Sequence, residues 1–159
     1  MQRHLTNVFL LEAIELSRRN IRDGKGGPFG AVIVRGDKII ARGTNLVAST
    51  NDPTAHAEIV SIRDACRSLG TFQLDECEIH TSCEPCPMCL GAIYWARLKA
   101  IYFSNTRSDA AHIGFDDEFL YREFTLPNAD RKIPVIRIQI AEALDVFKEW
   151  ERMENKIRY

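Results

Sequence analysis

A strand, a helix and a second strand are predicted to follow one another in the middle of the chain. Glu78–Thr81 is typical of a short strand, and Pro85-Cys86-Pro87 indicates the start of a helix that runs to about Arg97. Ala100–Ser104 is typical of the next strand. Strands joined by a helix in this way lie parallel in one sheet, and their crossover is right-handed. Part of the core must therefore be a parallel sheet with a helix on its face.

The remaining segments extend this unit to the order α-β-β-α-β-α-β-α-β-α. Asn51-Asp52-Pro53 marks one helix start, with Asp52 as the N-cap and Pro53 in the first helical position. The other strands are predicted at Ala31–Arg35 and Lys38–Arg42, joined as a hairpin by Gly36-Asp37, and at Val135–Ile140. The other helices are predicted over residues 4–23, 53–70 and 116–124, and from Ala143 to the end. This order indicates an α/β protein with a mixed sheet covered by helices.

Composition narrows the class of protein. The 159 residues fit one domain, and 21 Lys+Arg against 22 Asp+Glu leave a formal charge of −1. A domain that binds nucleic acid through phosphates usually has a basic excess, so no nucleic-acid partner is expected. We also expect no signal peptide and no membrane span. Five cysteines in such a chain indicate a reducing, cytoplasmic location and thiols used for metal binding or chemistry.

Two of these thiols and one histidine form a candidate metal site. Cys86 and Cys89 are spaced i, i+3 at the start of a predicted helix, where the helix dipole favours thiolates. His56 lies near the start of another predicted helix. Taken singly, each of these residues is ordinary in a protein core. If the two helix starts face each other, they supply a Cys₂His zinc site with its fourth position left for water.

Glu58 and Cys83 each leave a question about this site. Residues i and i+2 lie about 200° apart on a helix, so Glu58 reaches the metal of His56 only if the ion lies beyond the helix end. There it would carry protons. Cys83 offers a fourth protein ligand, so a structural zinc site with four protein ligands remains an alternative. An iron–sulfur cluster is disfavoured because Ile93 stands where the next cysteine is needed, and a Cys83/Cys86 redox pair leaves the histidine unexplained.

The spacing His-x-Glu followed by Pro-Cys-x-x-Cys resembles the signature of the zinc-dependent nucleobase deaminases of the cytidine deaminase superfamily. More narrowly, several segments resemble bacterial guanine deaminases. These segments are residues 26–31, 51–58, 81–97 and 114–117, together with the terminal Tyr159. The resemblance implies a three-layer α/β/α sandwich with a central mixed five-stranded sheet. It also implies hydrolysis of guanine to xanthine and ammonia with one Zn²⁺ per subunit.

The resemblance also implies roles for individual residues. His56, Cys86 and Cys89 would hold the zinc, with Glu58 as the proton carrier and Asp117 as a second proton shuttle. The alternative for Asp117 is a helix N-cap. The substrate would be a purine base, a small molecule bound by Phe29, Asn45, the Ala57 backbone, Trp95 and Tyr159. Phe29 and Trp95 could equally be core residues.

The C-terminal segment has two interpretations. Relatives with this ending form a homodimer that exchanges C-terminal segments, here about residues 130–159, so that Tyr159 closes the partner's pocket. The amphipathic stripe from Val146 to Ile157 could instead pack within one chain.

Two other functions remain open alongside guanine deamination. A tRNA adenosine deaminase, or a deaminase of another nucleobase, would share the zinc core. A non-catalytic module stabilised by zinc is the alternative from a different class, and it requires four protein ligands.

Overall fold

A four-stranded mixed sheet organises the first part of the chain. The computed structural model describes residues 2–158, and their side chains from Thr6 onward. The strands are β1 (Gly30–Arg35), β2 (Lys38–Thr44), β3 (Glu78–Cys83) and β4 (Ala100–Asn105), in the spatial order β2-β1-β3-β4. β1 is antiparallel to both β2 and β3, whereas β3 and β4 are parallel. The predicted hairpin and the predicted parallel unit are both confirmed.

Helices cover both faces of this sheet. The described helices are α1 (Gln2–Arg22), α2 (Val47–Thr50), α3 (Ala57–Leu69), α4 (Pro87–Trp95), α5 (Arg107–His112), α6 (Glu118–Thr125) and α7 (Ala141–Arg152), with a 3₁₀ turn at Asn128–Asp130. Alternate residues of β1 point to opposite faces, as in any strand. Val32 and Val34 pack with Phe9 of α1, whereas Ile33 packs in the core with Ile62 of α3. The α/β class is therefore confirmed.

The predicted fifth strand at Val135–Ile140 does not form. This segment is irregular, and the sheet over the described residues has four strands rather than five. A β-rich run becomes a strand only when a neighbour supplies partners for its backbone groups. Within the described part of the chain, the run makes no backbone hydrogen bond to another strand.

The helix predicted from Pro53 begins later than expected. The first helical residue of α3 is Ala57, and His56 rather than Asp52 occupies the N-cap position. Asp52 is engaged in a local turn, because its carboxylate accepts hydrogen bonds from the Thr54 amide at 2.8 Å and the Thr54 hydroxyl at 2.7 Å. The late start puts His56 at the N-terminal end of the helix.

The chain divides into two compact units, residues 1–120 and residues 121–159. The first contains the sheet with its helices. The second contains the 3₁₀ turn and α7, and none of its described residues is buried. The prediction of one domain over residues 1–159 stays a prediction. Among the described helices, none combines the length and the apolar character needed to cross a membrane.

Candidate metal centre and pocket

The N-termini of α3 and α4 meet and bring together the residues of the candidate metal site. His56 is the N-cap of α3 and Cys86 is the N-cap of α4, with Cys89 in the first turn of that helix. Pro87 occupies the first position of α4, where its missing amide hydrogen leaves no unsatisfied donor. Ile59 of α3 packs against both cysteines and holds the two helix starts together.

The three side chains are spaced as a tetrahedral zinc ion requires. His56 Nδ1 lies 3.6 Å from Cys86 Sγ and 3.5 Å from Cys89 Sγ, and all three donor atoms lie within 4.8 Å of one another. With Zn–S bonds of about 2.3 Å and Zn–N bonds of about 2.0–2.1 Å, tetrahedral geometry separates sulfur and nitrogen ligands by about 3.6 Å. Two sulfurs and one imidazole therefore fit zinc and leave a fourth coordination position.

The charges of this cluster also favour a cation. A hydrogen bond from Cys89, and then one from His56, lower the pKa of the Cys86 thiol to about 4. The pKa of Cys89 is raised, because this thiol donates to Cys86, is buried and lies beside Glu58. The two sulfurs thus hold one proton between them next to a carboxyl group. A bound divalent cation replaces that proton and stabilises both thiolates.

Glu58 lies against the metal cluster and is almost completely buried. Its Oε1 accepts a hydrogen bond from the Thr81 hydroxyl at 3.1 Å, and its Oε2 accepts one from Cys89 Sγ at 3.5 Å. Burial, with the neighbouring Cys86 anion adding to it, raises the pKa of this carboxyl group. Since His56 caps α3 from its end, Glu58 in the first turn lies on the same side as the cluster. A carboxyl group so placed can hold and release a proton.

A cavity of about 430 Å³ opens above the cluster. His56, Glu58 and Cys86 form part of its wall, and Phe29 and Phe115 form another part with their rings edge to face at 4.9 Å between centroids. The predicted site residues that line this cavity are Phe29, Asn45, His56, Glu58, Cys86 and Asp117. Burial, and then the Cys86 anion, raise the pKa of Asp117. The cavity thus joins a metal cluster, two protonatable carboxyl groups and an aromatic wall.

Two of the predicted substrate-binding residues do not line the cavity, and a third is not among the described residues. Ala57 is buried behind the cavity and does not line it. Trp95 is 70% exposed and does not line this cavity of the single chain, so the expectation that it faces a pocket stays a prediction. It is the last residue of α4, about 12 Å along the axis from Pro87. Tyr159 lies outside the described residues.

Phe115 lines the pocket without a predicted role, and Cys83 lines it with a predicted role that was left open. Phe115 follows Gly114, which has a φ of 93°, and lines the cavity. Its place in the run 114–117, which resembles guanine deaminases, is the sequence feature that indicates a role in the pocket. Cys83 lines the cavity but lies outside the three-residue cluster, with its sulfur donating to the Thr106 carbonyl at 3.6 Å. Burial, and then the proximity of Glu58, raise the pKa of Cys83 to about 11, so its thiol stays protonated.

Comparison with known proteins places this geometry in a family. The family model for the cytidine and deoxycytidylate deaminase zinc-binding region matches residues 4–105, which contain the whole metal cluster. The chain belongs to the cytidine and deoxycytidylate deaminase family. The family is zinc-binding, and the His56, Cys86 and Cys89 group of this member can hold that ion.

Individual relatives within this deaminase family are similar to different extents. The guanine deaminase of Bacillus subtilis is 52% identical over 152 residues, which cover 96% of this chain and 97% of that protein. An X-ray structure of guanine deaminase from the same organism matches with a TM-score of 0.94 and 51% identity, covering 96% of this chain and 98% of that one. A tRNA-specific adenosine deaminase of Aquifex aeolicus is 41% identical over 96 residues, 60% of this chain and 63% of that protein.

Proposed function

We propose that this protein hydrolyses guanine to xanthine and ammonia with one zinc ion per subunit. The observation that carries the proposal is the buried Glu58 carboxyl group, 3.5 Å from Cys89 Sγ, at the junction of the metal cluster and the cavity. An ion held by three protein ligands keeps a position for a reacting water, and Glu58 is within reach of it. Similarity to a guanine deaminase over nearly the full length of both chains supports guanine as the substrate.

Zinc bound by these residues supplies Lewis acidity, which lowers the pKa of a water molecule. Two thiolates cancel the charge of Zn²⁺, so this water is acidified less than in a site with three histidines, and a base is needed. Glu58 takes a proton from the water that attacks C2 of guanine. Glu58 passes this proton to the ring nitrogen, then takes the second proton from the hydroxyl group now on C2 and passes it to the leaving amine, and the carbon–nitrogen bond breaks to release ammonia. We assign Asp117, whose pKa is also raised, to proton transfer at the amine.

The cavity offers separate contacts for the faces and the edge of a purine. Phe29 and His56 can flank the ring. Asn45 is 6% exposed, and its Oδ1 accepts from the amides of Gly27 at 3.3 Å and Val47 at 3.4 Å. Its Nδ2 is therefore left to donate to an acceptor on the base. The Ala57 backbone and Trp95 stay proposed contacts with the base, although neither lines the cavity of the single chain.

We infer that the C-terminal segment, about residues 130–159, exchanges between two copies of the chain. Its apolar side chains are uncovered: Ile136 and Ile138 are each 78% exposed and Phe147 is 73% exposed. Apolar surface of this extent is typical of an interface. A homodimer would bury it and would bring Tyr159 of one subunit to the pocket of the other.

A substrate panel tests the proposed reaction. The zinc-loaded protein is incubated with guanine, cytosine, adenine and an adenosine-containing tRNA anticodon stem, and the products are separated by chromatography. We expect xanthine from guanine. If zinc is bound stoichiometrically and only the tRNA adenosine is deaminated, the protein is a tRNA deaminase. If no substrate reacts, the zinc is structural.

Glu58→Gln provides the matched variant for this test. It keeps the size of the side chain and removes its proton-carrying group, so the variant should fold, retain zinc and lose about 10²–10⁴-fold in kcat. Zinc content by mass spectrometry and the circular dichroism spectrum are the controls. Full activity of this variant contradicts the role of Glu58.

A further inference from the structure

Asn20 is a buried polar residue of α1 that the metal chemistry does not use. It is 2% exposed, and its Nδ2 donates to two carbonyl oxygens, that of Gly27 at 2.9 Å and that of Asn45 at 2.8 Å. Its Oδ1 has no hydrogen-bond partner among the described residues. A buried acceptor without a partner destabilises a protein, so packing alone gives no reason for an amide here.

The two carbonyls that Asn20 binds belong to the pocket wall. Gly27 O also accepts from the backbone amide of Phe29 at 2.8 Å, and the backbone amide of Asn45 donates to Phe29 O at 3.1 Å. A Cβ on Gly26 would lie 2.2 Å from Asn45 O, so this loop and the Asn45 backbone are in direct contact. Asn20 of α1 therefore connects the loop at residues 26–27 with Asn45, the first residue after β2.

This junction determines which side of the Asn45 amide faces the cavity. Gly27 N and Val47 N both donate to Asn45 Oδ1, so a fixed Gly27 helps to keep the oxygen on the side of the loop and leaves Nδ2 to donate to a ligand in the cavity that Asn45 lines. If Gly27 moves, the longer bond from Val47 N at 3.4 Å holds Oδ1 less firmly, and the Asn45 side-chain amide can rotate and present its oxygen to the cavity instead. An acceptor atom on the edge of the base would then face the Asn45 oxygen, which is also an acceptor, and no hydrogen bond would form.

We propose that Asn20 is a positioning residue that holds the Asn45 amide in the orientation that donates to the purine base. This inference rests on the proposed function. Asn20 does not itself touch the substrate, because it is buried behind Gly27 and Asn45 and is absent from the lining of the cavity. Asn20 binds the backbone carbonyl groups of Gly27 and Asn45, and through them it influences the Asn45 side chain.

The test is a double-mutant cycle of Asn20→Ala and Asn45→Ala in the zinc-loaded enzyme. We expect Asn20→Ala to raise KM for guanine about tenfold, the size of one lost hydrogen bond, with kcat within about twofold of the wild type. The double variant should have nearly the KM of Asn45→Ala alone, because both changes remove the same contact. The guanine dissociation constant, measured by calorimetry in the inactive Glu58→Gln background, should shift by the same factor.

Phe9→Leu and Asn7→Ala are the controls. Phe9→Leu loosens the packing of α1 on the sheet without touching the loop, and Asn7 is an exposed asparagine on the same helix. Both should keep the wild-type KM, and Phe9→Leu should also lower the melting temperature. If Phe9→Leu raises KM as much as Asn20→Ala does, or if the Asn20 and Asn45 effects add, the inference is wrong.

Three further outcomes are informative. If Asn20→Ala does not fold, Asn20→Ser replaces it in the same cycle, and an unchanged KM and dissociation constant in that variant overturn the proposal. If the wild-type protein deaminates guanine and Asn20→Ala has the wild-type KM, only this inference fails. If the wild type does not act on guanine, the proposed function fails first.

Discussion

His80 is a buried histidine in the middle of β3, on the face of the sheet that α1 covers. It is 1% exposed, stacked on the ring of Tyr102 with centroids 4.6 Å apart and in edge contact with Phe9 at 5.1 Å. Neither ring nitrogen has a hydrogen-bond partner among the described residues, and Nε2 lies 3.8 Å from the Glu78 carboxylate. Burial outweighs this nearby anion and lowers the pKa of His80 to about 4.

We therefore expect His80 to make the protein less stable in mild acid. The unfolded chain takes up a proton at His80 near pH 6.5, whereas the folded chain takes it up only near pH 4, so stability is full above pH 6.5 and is lost as the pH falls. At about 1.4 kcal/mol per pKa unit, the loss reaches roughly 3 kcal/mol below pH 4. Urea unfolding at pH 7, 6 and 5 measures it. His80→Phe should flatten the dependence, and equal slopes for both proteins would exclude His80 as its source.

The close approach of α3 to β2 is what places the metal-binding helix start over the sheet. A Cβ on Gly43 of β2 would lie 2.1 Å from the Ala57 carbonyl oxygen and 2.7 Å from the Ser61 amide nitrogen of α3. Both contacts are with backbone atoms, which cannot rotate aside as a side chain can. The absence of a side chain at Gly43 thus allows the position of His56 and Glu58.

Gly43→Ala is expected to push α3 away from the sheet. We predict a loss of stability of about 1–3 kcal/mol, as for overpacked cores, and weaker zinc retention in competition with a chelator. Gly91→Ala is the matched control, because Gly91 lies in the interior of α4 with nothing within 4 Å of the added Cβ. That change should be neutral or stabilising by up to about 1 kcal/mol. Equal zinc retention in the two variants would contradict the role of Gly43.

The C-terminal unit, residues 121–159, leaves most of its described apolar side chains exposed, whereas residues 1–120 bury many of theirs in a core. Its α7 carries apolar residues at helical spacing, yet Val146 is 61% exposed and Trp150 is 45% exposed. A helix with one apolar stripe is stabilised mainly by packing that stripe against another surface. A second subunit is the partner that the exchange proposal provides.

Mixed dimers test whether Tyr159 acts on the partner's site. Glu58→Gln and a chain lacking Tyr159 should each be nearly inactive alone. When the two are unfolded together and refolded with zinc, half of randomly formed dimers are mixed, and each has one complete site, so we expect about a quarter of the wild-type activity. The control is a mixture of the separately folded proteins. If refolding together restores nothing, Tyr159 does not act across subunits.

Local signals account for the features that were predictable. The cysteine pair at i, i+3 and the hairpin depend on neighbours within a few residues, and the parallel unit depends on one helix that directly joins two successive strands. All three lie where the sequence predicts them. The types of metal ligand also follow from the sequence, because thiols and an imidazole at helix starts favour zinc. Contacts between residues far apart in the sequence could not be predicted in this way.

Tertiary structure alone decided the rest. The run at Val135–Ile140 has strand propensity without a neighbouring strand among the described residues. The Asn45 side-chain oxygen accepts from the Gly27 and Val47 amides, and Asn20 of α1 donates to the carbonyls of Gly27 and Asn45 across 7 and 25 residues of sequence. Hydrogen-bond partners distant in sequence are chosen only when the chain has folded, so their consequences cannot be read from local pattern.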